Sequence, residues 1–180
     1  MGKVIGSLRE LFRRLPPDGS TRHLLRSFNL GMSGRGSPPS VKELAENLGF
    51  DVYLVDLPNE IRGRLIADPF SENGYSIEVN RNDSVVVRRW TVLHEIMHFL
   101  LHRNDDPFAP AMHRAGAEHF YDREEQQQER DANLSVEALI FGDGALEAAI
   151  SLFGRDIAAL CKHFGVSSRV MEISLAKLNR

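Results

Sequence analysis

Two histidines four residues apart, with a glutamate directly after the first, stand out in this 180-residue chain: His94-Glu95-Ile96-Met97-His98. On a helix, residues i and i+4 share a face one turn apart, so both imidazoles can turn toward one metal ion. Neutral imidazole is a good zinc ligand, and a catalytic zinc keeps three protein ligands and a water. Glu95 follows His94 by about 100° around the helix, where its carboxylate reaches such a water and takes its proton. Chance is the bland alternative, since the chain carries seven histidines. The flanking residues argue against it. Val92, Leu93, Ile96, Met97, Leu100 and Leu101 give this segment an apolar surface that buries it, and a buried histidine pair needs partners. The pattern is the H-E-x-x-H of zinc peptidases, so Zn2+ is the expected cofactor, His94 and His98 its ligands and Glu95 the catalytic base.

The elements around the motif must hold it in place. Ser40 with Glu43 fits a capping box opening a helix that stops at Gly49. Strands are expected over residues 50–57, 64–70 and 74–80, the last with Tyr75, Ile77 and Val79 alternating with Ser76 and Glu78, one face buried and one wet. Asn82, Asp83 or Ser84 caps the motif helix, which runs to about His102. The strand at 74–80 feeds directly into that helix, and a free edge there would pair with an extended peptide and present it to the metal. Residues 104–117, with two prolines, read as a loop beside the site. Within or just after it, His113, His119 or Tyr121 could supply a donor to an oxyanion, although each also reads as a plain surface residue. His102 lies about 12 Å along the helix from His94, too far to share one ion, and reads as packing or as support behind a ligand.

A third ligand is expected from a helix over residues 118–141, which carries Glu124, Glu125, Glu129 and Asp131. Glu129 shares its face with the apolar Ala132 and Val136, and an acid on a buried face needs a partner. Spacing alone leaves Glu129, Glu125 and Asp131 open. Asn133, one turn beyond Glu129, is placed to orient a ligand by hydrogen bonding. Gly142 and Gly144 break this helix, and two or three more follow, over 146–153, 156–164 and 167–178.

Residues 1–15 read as a short amphipathic helix with a basic face, ended by Pro16-Pro17. Ser20 or Thr21 caps a second helix that reaches Gly31, and residues 31–39 are rich in Gly, Ser and Pro, as linkers are. Residues 1–37 are therefore expected to form an appendage of helix and linker, and residues 38–180 the main domain. The helix–turn–helix-like pair at 156–178 belongs to that domain. Its second helix offers only Arg169 and Lys177 to phosphates, and the formal net charge is −3, so no direct nucleic-acid binding is expected. Hydrophobic residues at 42% and charged residues at 26% suit a globular protein with a real core. One cysteine, Cys161, allows no internal disulfide and reads as core beside Ile157, Leu160 and Phe164. With no apolar leader and no stretch of membrane-spanning length, a reducing cytoplasmic setting is expected.

The run from Arg88 to His102, RRWTVLHEIMHFLLH, resembles the R-x-F-T-x-A-H-E-x-x-H-x-x-L-H run of the ImmA/IrrE family of intracellular zinc metallopeptidases. Glu129-Arg130-Asp131-Ala132-Asn133 is similar to its E-x-E-A-N segment, whose first Glu is the third zinc ligand. The likeness runs in order over residues 40–178 and includes Ile77-Glu78-Val79-Asn80 and the turn Phe164-Gly165-Val166-Ser167. It implies Glu129 as the third ligand. This chain departs from the pattern at Leu93 and Met97, where Ala and Gly stand, and at Ser135, Val136 and Gly142, where Phe, Ala and Pro stand.

The implied fold is α+β and zincin-like: a small sheet of about three strands on a mainly helical layer, with the metal between two helices. The implied function is an endopeptidase that cleaves a helix-turn-helix transcriptional repressor and relieves repression in a stress response or a mobile element. The alternative is a non-catalytic zinc-bound module that sequesters a repressor or antitoxin. Substrate, cleavage site, activating signal and oligomeric state are not written in the sequence.

Overall fold

The computed structural model describes residues 6–34, 36–102, 112–115 as backbone, and 123–178. In chain order the elements are α1 (Leu8–Arg14), α2 (Gly19–Met32), α3 (Val41–Asn47), β1 (Asp51–Val55), β2 (Ile61–Ala67), β3 (Tyr75–Asn80), α4 (Val85–His102), β4 (Met112–Ala115), α5 (Arg123–Phe141), α6 (Ala145–Phe153), α7 (Ile157–Phe164) and α8 (Ser168–Leu178). The fold is α+β, as expected. They group into two compact units, one spanning Val41–Asn133 and the other joining Met1–Ser40 to Leu134–Arg180. Among the described residues no helix is long and apolar enough to cross a membrane.

In the unit that carries the motif, the sheet has the order β1-β3-β2-β4. β1 runs parallel to β3, while β2 is antiparallel to both β3 and β4. The three expected strands are thus joined by a fourth, Met112–Ala115, in the stretch read as a loop. Its four residues MHRA lack the β-branched content that marks a strand locally, and pairing with β2 supplies what composition does not. The expected free edge of β3 is absent, because β1 and β2 occupy its two sides. Its wet face is also more enclosed than the alternation implied. Ser76 is buried and donates its hydroxyl to Asp68, and Glu78 pairs with Arg64. β2 ends at Ala67 rather than 70; Asp68 turns the chain by accepting from the Phe70 amide, leaving Phe70 95% exposed.

Helix α4 is seated on this sheet by apolar contact and by one close approach. Ser84 caps it, its hydroxyl accepting from the Val87 amide at 3.4 Å. Every residue from Thr91 to Phe99 is buried. Phe99 meets Phe50 and Tyr75 edge-on, with ring centroids 4.9 and 5.3 Å apart. At the end of β3, Asn80 holds the β1–β2 connection, its amide donating to the carbonyls of Leu57 and Ile61 at 3.0 Å each, while its side-chain oxygen accepts from the Asn82 amide at 3.1 Å in the turn toward α4. On β2, Gly63 passes directly against α4. A Cβ there would lie 2.4 Å from the Thr91 methyl and 2.8 Å from the Glu78 carbonyl oxygen, so only a hydrogen fits.

The other unit is helical. Residues 1–37, read as an appendage, contribute Leu8, Leu11, Leu25, Phe28 and Met32 to its buried core, with Leu139, Phe141, Leu160 and Phe164 from the C-terminal part. Asn29, itself buried, donates to the carbonyls of Leu139 and Gly142, which terminate α5. Asp18 caps α2, accepting from the amides of both Ser20 and Thr21, the two residues expected in that role. A carboxylate two residues earlier reaches both free amides, which one hydroxyl does not. Gly142 donates its N–H to the Ala138 carbonyl at 3.0 Å, and a Cβ on it would meet that oxygen at 2.3 Å. The proline of the family pattern would make neither arrangement possible.

Gly63→Ala is expected to lower unfolding free energy by about 1–3 kcal/mol through overpacking, read as a lower denaturant midpoint at unchanged slope.

Candidate metal centre

The site is built from α4 and the first part of α5. Helical spacing places His94 and His98 one turn apart, and both are buried. Their Nε2 atoms approach to 2.8 Å. From α5, Glu129 brings its two carboxylate oxygens to 2.9 Å from His98 Nε2 and 3.2 Å from His94 Nε2. Ala132, fully buried on the same face of α5, leaves room for this approach. His94, His98 and Glu129 form a group able to hold a metal ion. Donors around a single zinc at about 2.0–2.1 Å stand roughly 3.3 Å apart, so these three lie close to one face of a tetrahedron with the fourth corner open. Three electron-rich atoms this close need a cation or protons among them, and the chemistry of two imidazoles and a carboxylate suits zinc.

Burial acts against charge on Glu129, but hydrogen bonds from His94 and His98 when those rings are protonated, with the charges they then carry, outweigh it and hold the carboxyl well below the usual carboxylate range. Glu95 is fully buried on α4 beside His94. Of the other acids on α5, Glu125 is exposed and Asp131 accepts from the Gln127 amide at 2.9 Å, so neither joins the group. His102 stacks obliquely on His98 with centroids 5.8 Å apart, next to the ligand pair rather than in it. His119 and Tyr121 lie outside the described residues, and His113 sits on β4, described as backbone. Cys161 is half-buried at the margin of the apolar face of α7; burial, and then the charge of Glu172, pushes its thiol up and away from nucleophilic character.

Asn133 lies behind His94. Its side-chain oxygen stands 3.2 Å from His94 Nδ1, and its amide nitrogen donates to the Glu129 carbonyl oxygen at 2.9 Å. The same oxygen accepts from the Trp90 indole N–H at 3.2 Å. Trp90 carried no role in the sequence reading. The available signal was its place four residues before His94, on one face of α4.

Residues 45–175 match the family model of the M78 peptidases, described as the IrrE N-terminal-like domain. The chain belongs to that family. No curated protein matches it. The matched region contains the His94, His98 and Glu129 cluster, and membership makes this a protein of metallopeptidase type whose IrrE-like domain carries a candidate metal site.

Glu129→Gln is expected to destabilise the metal-free protein at neutral pH. The folded-state pKa of Glu129 lies below its unfolded value, so its stabilising contribution is complete above an ordinary carboxyl pKa of about 4.3 and fades as pH falls further. Denaturant midpoints of the two proteins, measured without metal, should accordingly stay apart from neutral pH down to about 4.3 and converge only below it.

Proposed function

We propose that this protein is a zinc-dependent endopeptidase acting inside the cell on a protein substrate, a helix-turn-helix transcriptional repressor. One observation carries the catalytic part: His94 Nε2, His98 Nε2 and the Glu129 carboxylate converge within about 3 Å beside a buried glutamate, the geometry of one shared ion. His94, His98 and Glu129 would hold the zinc. When bound, zinc lowers the pKa of water toward about 7 and polarises a peptide carbonyl. Glu95 takes the proton from the attacking water and returns it to the leaving amine nitrogen, which makes the departing group neutral. Burial of His94 and Glu95 keeps bulk water from competing for that proton.

The repressor as substrate is supported by the likeness to the ImmA/IrrE family, whose members act on such proteins. Loss of repression on cleavage would place the protein in a stress response or a mobile element. Direct DNA binding is disfavoured by charge, since Lys177, one of two cations available on α8, already pairs with Glu137.

Elemental analysis should find about one zinc per chain in the wild type and in Glu95→Gln, and much less in His98→Ala and Glu129→Ala. Cleavage by Glu95→Gln should fall by about 10²–10⁴-fold. Mapping new protein N-termini in cells expressing wild type or Glu95→Gln should show cuts within a DNA-binding repressor in the wild type alone. A Glu95→Gln protein that relieves repression as well as wild type would point to sequestration instead.

A further inference from the structure

We propose that Trp90 is a positioning residue of the metal centre. Its indole N–H holds the Asn133 amide in one of its two orientations and, through it, keeps His94 as the tautomer whose Nε2 lone pair faces His98 and Glu129. The inference rests on the reading of His94 as a ligand.

Which atoms can donate decides the orientation. An indole nitrogen carries a hydrogen and no free lone pair, so the Asn133 atom 3.2 Å from Trp90 Nε1 is its oxygen. The other end of that amide, its NH2, donates to the Glu129 main-chain carbonyl at 2.9 Å. Turning the amide over would set NH2 against the indole N–H and oxygen against a carbonyl oxygen. Two favourable contacts would become two repulsive ones. The orientation is therefore held from both ends.

His94 Nδ1 lies 3.2 Å from the same oxygen. Carbonyl oxygens only accept, so Nδ1 carries a proton. In the neutral ring that leaves Nε2 bare, and only the doubly protonated ring donates from Nε2 to Glu129. Nε2 is the atom that meets His98 and Glu129. In the flipped amide, NH2 would face Nδ1 and draw the opposite tautomer, placing a proton on Nε2 where the metal would bind. One oxygen with two lone pairs thus serves both donors, and one turn of α4 delivers Trp90 and His94 to it. His98 shows no equivalent: among the described residues its Nδ1, although buried, has no hydrogen-bond partner.

The test compares wild type, Trp90→Phe, Asn133→Asp and the double variant, each labelled with ¹⁵N-histidine. Long-range ¹H–¹⁵N spectra of the zinc-free proteins, recorded across a pH series, report which His94 nitrogen carries the proton in the neutral ring. Wild type should be the Nδ1–H form, and Trp90→Phe should show a mixture with Nε2–H. Zinc affinity of Trp90→Phe, measured by chelator competition, should fall about tenfold, the lower end of what losing support behind a metal-binding imidazole costs. In Asn133→Asp the carboxylate has two equivalent acceptors and no amide to orient, so Trp90→Phe should leave the tautomer unchanged in that background. An unchanged tautomer in Trp90→Phe alone would overturn the proposal. So would the same change in both backgrounds, which would mark lost packing around the ring. If the tautomers respond as expected while none of the four proteins binds zinc, the role of Trp90 stands and the metal reading falls.

Discussion

Everything in the motif-bearing unit answers to one constraint: three electron-rich side-chain atoms are held about 3 Å apart in a buried place. Burying such groups is costly unless their charges and lone pairs are answered. The surrounding structure meets that cost by rigidity. Nine consecutive buried residues fix the rotation of α4, the Phe50–Phe99–Tyr75 contacts fix its height on the sheet, and Gly63 lets β2 lie flat against it. On α5, Ala132 permits close approach, and Asn133 ties the backbone of Glu129 to the ring of His94. The contacts are mutually dependent, so a shift of either helix would loosen all three donors together.

What could be read from the sequence depended on the range of the interaction responsible. The His94–His98 pair is a local matter of helical period and was plain from spacing. Glu129 could not be told from Glu125 or Asp131 by spacing, because the distinction is which acid meets α4 at a separation of 31 positions. The likeness to a known family separated them where periodicity did not. Strand β4 has no composition of its own to announce it and exists by pairing with β2. The same cause hid the central place of β3: a strand's own residues do not say which neighbours flank it. The Trp90–Asn133 contact spans 43 positions, beyond any local pattern.

The N-terminal segment teaches a related point. Past the end of α2 at Met32, the glycine, serine and proline of the described residues 33, 34 and 36–39 form neither helix nor strand, which is a statement about backbone and not about domain membership. The apolar faces of α1 and α2 found their partners in residues beyond 134, so the unit they belong to is discontinuous in sequence. The departure at Gly142 becomes intelligible only in that setting, where its N–H and its missing side chain are both used.

The order in which the donors occur along the chain also matters while the protein is being made. His94 and His98 leave the ribosome together, while Glu129 follows 31 residues after His98. At about 5–20 residues per second, that is a delay of roughly 2–6 s. During that interval the nascent chain offers a metal only two imidazoles on a helix not yet covered by α5, a weak and open site. An ion held by all three donors would be captured tightly only once Glu129 and Asn133 just behind it had emerged. Metal acquisition at this candidate site would thereby be coupled to the emergence of α5, and an interrupted chain that ends before it would carry the histidine motif without the third donor.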